Sequence, residues 1–165
     1  MGVGGAVPQG GGGVRFANET DAYNYMWNQA TAEGREYAAY ITTKGVIVTP
    51  AGLNKDGEGE FLKYYNPTWK NGALNITFEN NNYQVIGGIH THQAENGFYG
   101  YGFSTPDDYT TIFLNGLPFF SMNFDNTMGA QFSDGKYCYP MNINASRDAV
   151  LGGYSLIKYI FNYGK

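Results

Sequence analysis

The sequence predicts an α+β domain in which helices pack on a largely antiparallel or mixed sheet. Three observations point there. The elements run helix, hairpin, strands, helix, meander, helix, not in the regular strand–helix alternation of a doubly wound fold. Charged residues are only 15% of the 165 residues while 15 tyrosines and 11 phenylalanines supply bulk, so the chain can fill a core and disorder is not the default. Cys138 is the sole cysteine, which excludes an internal disulfide and leaves packing to hold the fold.

Residues 1–14, with glycine at every position from 10 to 13, read as a flexible linker from something longer, and residues 15–165 as one domain. Asn18 is a suitable N-cap with Asp21 three residues on, opening a helix through Trp27 that Gly34 ends. Glu36–Thr42 and Val46–Thr49 are β-prone runs joined across Thr43-Lys44-Gly45. Beyond Pro50 a polar loop runs to about residue 72, and its Phe61, Tyr64, Tyr65 and Trp69 imply that it packs down on the domain. Leu74–Phe78 alternates with period two, Asn80-Asn81-Asn82 turns the chain, and Tyr83–Ile89 is a strand that ends on His90-Thr91-His92. After an eleven-residue loop (93–103) the sequence turns helical from Pro106 to Asn115, closed by Gly116 and Pro118. A meander follows, Phe119–Phe124, Met128–Phe132 and Tyr137–Tyr139, with Ser133-Asp134-Gly135 as a tight turn. Val150, Tyr154, Ile157 and Phe161 then fall at helical spacing in a single helix from Ser146. Cys138, inside an aromatic strand, reads as an inert, partly buried thiol.

A net charge of −4 without a basic cluster argues against nucleic acid as a partner. No apolar run approaches 18 residues and no signal-peptide layout opens the chain, so a membrane span is not expected and any secretion depends on another segment.

His90 and His92 are the only histidines. Two apart on a strand, they share a face with Cβ atoms about 6.5 Å apart at a rise of roughly 3.3 Å per residue, a reach that lets both grip one ion. Zinc takes nitrogen and oxygen ligands in a tetrahedron, and a catalytic zinc keeps one position for water. Asp107 is the best candidate for a third ligand, because Ser104 suits the N-cap and Pro106 the first turn, leaving the carboxylate near the helix mouth. Asp108 is the alternative. A zinc so held still needs a proton acceptor; Glu33 and Glu95 compete with Glu36 for that role, and Glu36 is favoured because Glu33 lies in helix-like sequence and Glu95 in the loop.

Glu36 at a strand start, His90-Thr91-His92 at another strand's end, and Ser104-Thr105-Pro106-Asp107 opening a helix together resemble the JAMM (JAB/MPN) metallopeptidases. Within that family the chain from about residue 15 onward looks most like the JAB-like toxin domains of bacterial polymorphic toxins. The resemblance implies a JAMM/cytidine-deaminase-like central mixed sheet flanked by helices, with His90, His92 and Asp107 as Zn2+ ligands. It implies Glu36 as the acid/base and Ser104 as a donor to the oxyanion of the tetrahedral intermediate. It further implies hydrolysis of a protein or peptide substrate, an immunity protein as partner, and secretion or delivery to a target cell within a larger protein. The chain departs from the family in its longer gap between His92 and Ser104 and in Gln93, where proline is common; both bear on substrate access. Two other classes stay open: a catalytically inactive JAMM-like protein-binding module, and a carbohydrate-binding surface domain built on exposed aromatics.

Overall fold

The computed structural model describes residues 13–50, 61–93 and 105–163. They form an α+β unit whose nine strands join in one sheet. The strands are β1 (Val14–Phe16), β2 (Ala38–Thr42), β3 (Gly45–Val48), β4 (Thr68–Lys70), β5 (Ala73–Phe78), β6 (Asn81–His92), β7 (Phe119–Asn123), β8 (Met128–Ser133) and β9 (Cys138–Pro140). The helices are α1 (Glu19–Glu33), α2 (Thr105–Leu114), α3 (Arg147–Leu151) and α4 (Leu156–Asn162).

β6 is the spine. One of its edges pairs with β2; the other pairs with β5 along its first half and with β7 along its second. The remaining order runs β1-β3-β2 on one side and β7-β8-β9 on the other. Every pairing is antiparallel except β6 with β7. That parallel step needs a crossover, which the segment containing α2 supplies. The two sheet faces are covered differently, and this decides where the site lies. On one face Ala22, Tyr23, Met26 and Ala30 of α1, Val150 of α3 and Leu156 of α4 pack on Ala39, Ile41, Ile89, Phe120 and Met122. On the other, Leu114 of α2 packs with Tyr40, Ile47, Ile76, Val85 and Phe119. Tyr23, Tyr40, Phe78, Phe119 and Phe120 are buried in these cores, and Trp27, Tyr65, Trp69, Tyr83, Phe132 and Tyr154 pack against them partly buried, whereas Tyr137, Tyr139 and Phe161 are exposed.

Local chemistry explains the element ends. Asn18 caps α1 through its side chain, which accepts from the Asp21 N–H, and Gly34 ends the helix in the left-handed conformation. Four expectations are corrected. Val14, read as linker, already belongs to β1 and pairs with Val48; residues 1–12 lie outside the described residues. The stretch to residue 72 holds a short 3-10 turn (Phe61–Lys63) and strand β4, fastened by the Trp69 indole N–H donating to the Phe113 carbonyl at 2.7 Å. The β5–β6 turn is Glu79-Asn80, both at positive φ (51° and 64°), one residue earlier than the asparagine run suggests. Such a two-residue turn matches the twist of the hairpin. The last helix is two, because the chain breaks at Gly152-Gly153 and Ser155 starts α4 as a new N-cap, accepting from the Lys158 N–H.

The β2–β3 turn gives the first testable consequence. Gly45 has φ of 107°, and an added Cβ would lie 2.3 Å from the Phe16 carbonyl oxygen. Gly45→Ala is expected to destabilise the fold by about 1–3 kcal/mol from backbone strain and by a similar amount from overpacking. Gly72, with φ of 78° and open space around it, is the control: its alanine variant should show the smaller loss in denaturant midpoint.

Candidate metal centre

The parity of β6 turns His90 and His92 toward the face that α2 covers. His90 stacks on Phe119 (centroids 4.4 Å apart, planes 13° apart), and both imidazoles are buried. Parallel pairing sets Ser121 opposite His90 and Asn123 opposite His92, so these two side chains share the same face and are buried as well.

Asp107 enters from the first turn of α2 and is 2% exposed. Its turn is docked on β8: the Thr111 hydroxyl donates to the Asp107 carbonyl (2.8 Å), and the Gln131 amide donates to the Thr111 oxygen (2.6 Å) and to Asp108 Oδ1 (3.2 Å). Asp108 is thereby turned to Gln131. Asp107 faces the histidines, with Oδ1 3.2 Å from His90 Nε2 and Oδ2 3.5 Å from His92 Nε2.

Glu36 stands just before β2. The Tyr37 N–H donates to Thr91 Oγ1 and the Thr91 N–H to the Tyr37 carbonyl, both at 3.0 Å. These bonds carry the β2–β6 pairing past Ala38 and His90, so Glu36 falls on the face of the histidines. Glu36, His90 and His92 form a group that could hold a metal ion, their ligand atoms all lying within 4.8 Å of one another. Glu33 is engaged elsewhere, accepting from the Tyr37 hydroxyl and the Gln29 amide. Glu95 and Ser104 lie outside the described residues. The Cys138 thiol is partly buried and donates to the Asp108 carbonyl; burial first, and then the Asp108 carboxylate, push its pKa up.

Hydrogen bonding fixes what the imidazoles can do. His90 Nδ1 is 2.9 Å from the Phe120 carbonyl oxygen and His92 Nδ1 is 3.2 Å from Asn123 Oδ1. Both partners are acceptors, so each Nδ1 carries its hydrogen and each neutral ring presents a lone pair at Nε2. Those Nε2 atoms are 2.8 Å apart, beside the Asp107 carboxylate. The two Nε2 lone pairs and the carboxylate thus converge, an arrangement that a shared proton or a cation stabilises. Burial lowers the His90 pKa, but the Asp107 carboxylate, then Glu36 and the Phe120 carbonyl, outweigh it and hold the ring at about 8. His92 is pushed down by burial and by the charge on His90, against the pull of Asp107. These influences favour a proton on His90 over one on His92.

The donor set fits a cation equally well. Ligands on a tetrahedral ion with 2.0–2.1 Å bonds lie about 3.3 Å apart, and the separations here are 2.8, 3.2 and 3.5 Å. Each ring's second nitrogen is already bonded to an oxygen acceptor, the usual outer support of a metal-binding histidine. Sequence reasoning missed Ser121, Asn123, Thr111 and Gln131. A signal for two of them exists: in Phe119-Phe120-Ser121-Met122-Asn123, Ser121 and Asn123 recur at alternate positions of an otherwise apolar strand, where a buried polar group needs a partner.

No family model, no curated protein and no solved structure matches this chain.

Proposed function

We propose that this chain is a zinc metallopeptidase of the JAMM type, with the fold of that family, which hydrolyses a peptide or isopeptide bond. The observation that carries this is the meeting of His90 Nε2, His92 Nε2 and the Asp107 carboxylate within 3.5 Å of one another, with the Glu36 carboxylate beside them. Two imidazoles and a carboxylate suit zinc, and three protein ligands leave the open position of a catalytic site. His90, His92 and Asp107 would hold the ion. When bound, zinc supplies Lewis acidity, polarising a carbonyl and letting water ionise near neutral pH.

The remaining steps belong to the chain. Glu36, half-buried where the sheet face meets solvent, accepts the proton lost by the attacking water. It returns that proton to the amine nitrogen as the C–N bond breaks, so no net proton is consumed. Phe119 stacked on His90 keeps that side of the site dry, which strengthens the electrostatics of the chemistry. The family resemblance assigns Ser104 as the donor to the oxyanion. By the same resemblance we assign the chain as the effector domain of a bacterial polymorphic toxin, delivered to a target cell and opposed by an immunity protein. No helix among the described residues is long and apolar enough to cross a membrane.

The test compares wild type with His90→Ala after expression in a bacterium, by metal analysis, chelator-sensitive peptide cleavage and growth. Wild type is expected to co-purify with zinc, cleave and arrest growth, and His90→Ala to do none of these. If wild type carries no zinc and both chains are harmless, the metal and toxin assignments fall together. Zinc without cleavage would instead identify a binding module.

A further inference from the structure

We propose that two exposed residues of the β7–β8 turn, Thr127 and Asp125, act as positioning residues that set the tautomer of His92 and hence the affinity of the site for a cation. The inference builds on the metal assignment above but rests on its own geometry.

The Thr127 hydroxyl lies 2.6 Å from Asp125 Oδ1. A carboxylate only accepts, so the single hydroxyl hydrogen is committed there. The same Thr127 oxygen is 3.0 Å from the Asn123 side-chain amide, and having no hydrogen left it can only accept. The Asn123 NH2 must therefore face Thr127, which turns Asn123 Oδ1 inward. That oxygen receives the Ser121 hydroxyl at 2.9 Å and faces His92 Nδ1 at 3.2 Å. Facing an acceptor, Nδ1 carries the hydrogen, and the lone pair of His92 is placed at Nε2, 2.8 Å from His90 Nε2. The bond directions thus run without ambiguity from a surface carboxylate to a buried ring.

The turn is held rigid enough to transmit this order. Arg147 donates through Nη1 to the Asn123 carbonyl at 2.8 Å and the Phe124 carbonyl at 3.1 Å, with its guanidinium 4.3 Å from the Trp27 ring centre. The Arg147 N–H donates to the Asn126 carbonyl, and the Asp148 N–H to Asn126 Oδ1. Removing the Thr127 hydroxyl abolishes the constraint on the amide. Asn123 can then rotate to present NH2 to His92, which stabilises the opposite tautomer with the hydrogen on Nε2, the form that cannot bind a cation there.

Thr127 is exposed, so Thr127→Val should fold, and Thr127→Ser retains the hydroxyl. The full chain is titrated with Co2+, and the His92 tautomer is read from imidazole nitrogen chemical shifts in the metal-free protein. Thr127→Val is expected to bind Co2+ about 10-fold more weakly, at the low end of the 10–100-fold typical of outer-sphere partners, and to shift His92 toward the Nε2–H tautomer. Asn123→Leu should lose toward 100-fold; Thr127→Ser should match wild type in both measurements. A merely structural role would lower thermal stability without moving the tautomer. The proposal is overturned if Thr127→Val keeps the wild-type tautomer, whatever its Co2+ affinity, or if it shifts the tautomer with an affinity within twofold of wild type. If wild type itself binds no Co2+, the metal assignment fails, and the affinity half of this proposal with it; the nitrogen shifts then separately decide the tautomer half.

Discussion

Glu36→Gln is expected to keep its metal and to lose peptide hydrolysis by about 10²–10⁴-fold, the range a positioned general base contributes. The amide preserves shape and hydrogen-bonding reach but cannot take a proton from water at neutral pH. His90, His92 and Asp107 are untouched by the change, and His90 keeps its Nδ1 bond to Phe120, so zinc content should stay at the wild-type level. The paired measurement is metal stoichiometry beside single-turnover cleavage. Loss of both together would mean that Glu36 is a ligand, consistent with its place in the Glu36–His90–His92 group, and would move the acid/base role elsewhere.

Asp107→Asn should act on the metal and on the proton alike. The carboxylate contributes the negative charge among the three proposed ligands, and its loss should weaken Zn2+ binding by more than the 10–100-fold typical of outer-sphere partners. In the metal-free protein the effect has a defined sign. The folded-state pKa of His90 is raised from 6.5 to about 8, so its protonation contributes stability that is fully present below about 6.5 and is lost as pH rises through 8. Burial is the larger single influence and pulls the other way. Without Asp107 it prevails, and the His90 pKa falls. Wild type should therefore gain stability over Asp107→Asn as pH falls from 9 to 6, measured by denaturant unfolding of chelator-treated protein. Zinc uptake should strengthen as pH rises toward 8, since the ion displaces the His90 proton. An identical pH profile for the two chains would show that Asp107 does not govern the ring.

How much of this was legible in the sequence depends on the range of the interaction that decides each feature. The α1 N-cap at Asn18, its end at Gly34, the Ser146 cap and the close of α2 before Pro118 are settled within a few residues, and the sequence signals them directly. The break between α3 and α4 was equally local: Gly152-Gly153 followed by Ser155 is a stop and a fresh start. Strand β4 pairs antiparallel with β5 across Asn71-Gly72, both at positive φ, a two-residue turn that is a local signal the sequence carries. Only its anchoring to α2 is long-range, through the Trp69 indole bond to Phe113, 44 residues away.

By itself the sequence determined the α+β class and the inventory of the candidate centre: two histidines sharing a strand face, an acidic residue opening a helix, and a glutamate at a strand start. The sequence already favours Asp107 over Asp108 and Glu36 over Glu33. What only the tertiary structure supplies is the geometry, because a helix turn docked through Thr111 and Gln131, and a register extended through Tyr37 and Thr91, decide which carboxylate points inward. The same holds for Ser121 and Asn123, which reach the histidines only through a parallel pairing made by a crossover. Side-chain parity is a property of one strand and can be counted along the chain. Convergence depends on distant segments closing on one another, and no local pattern records where they meet.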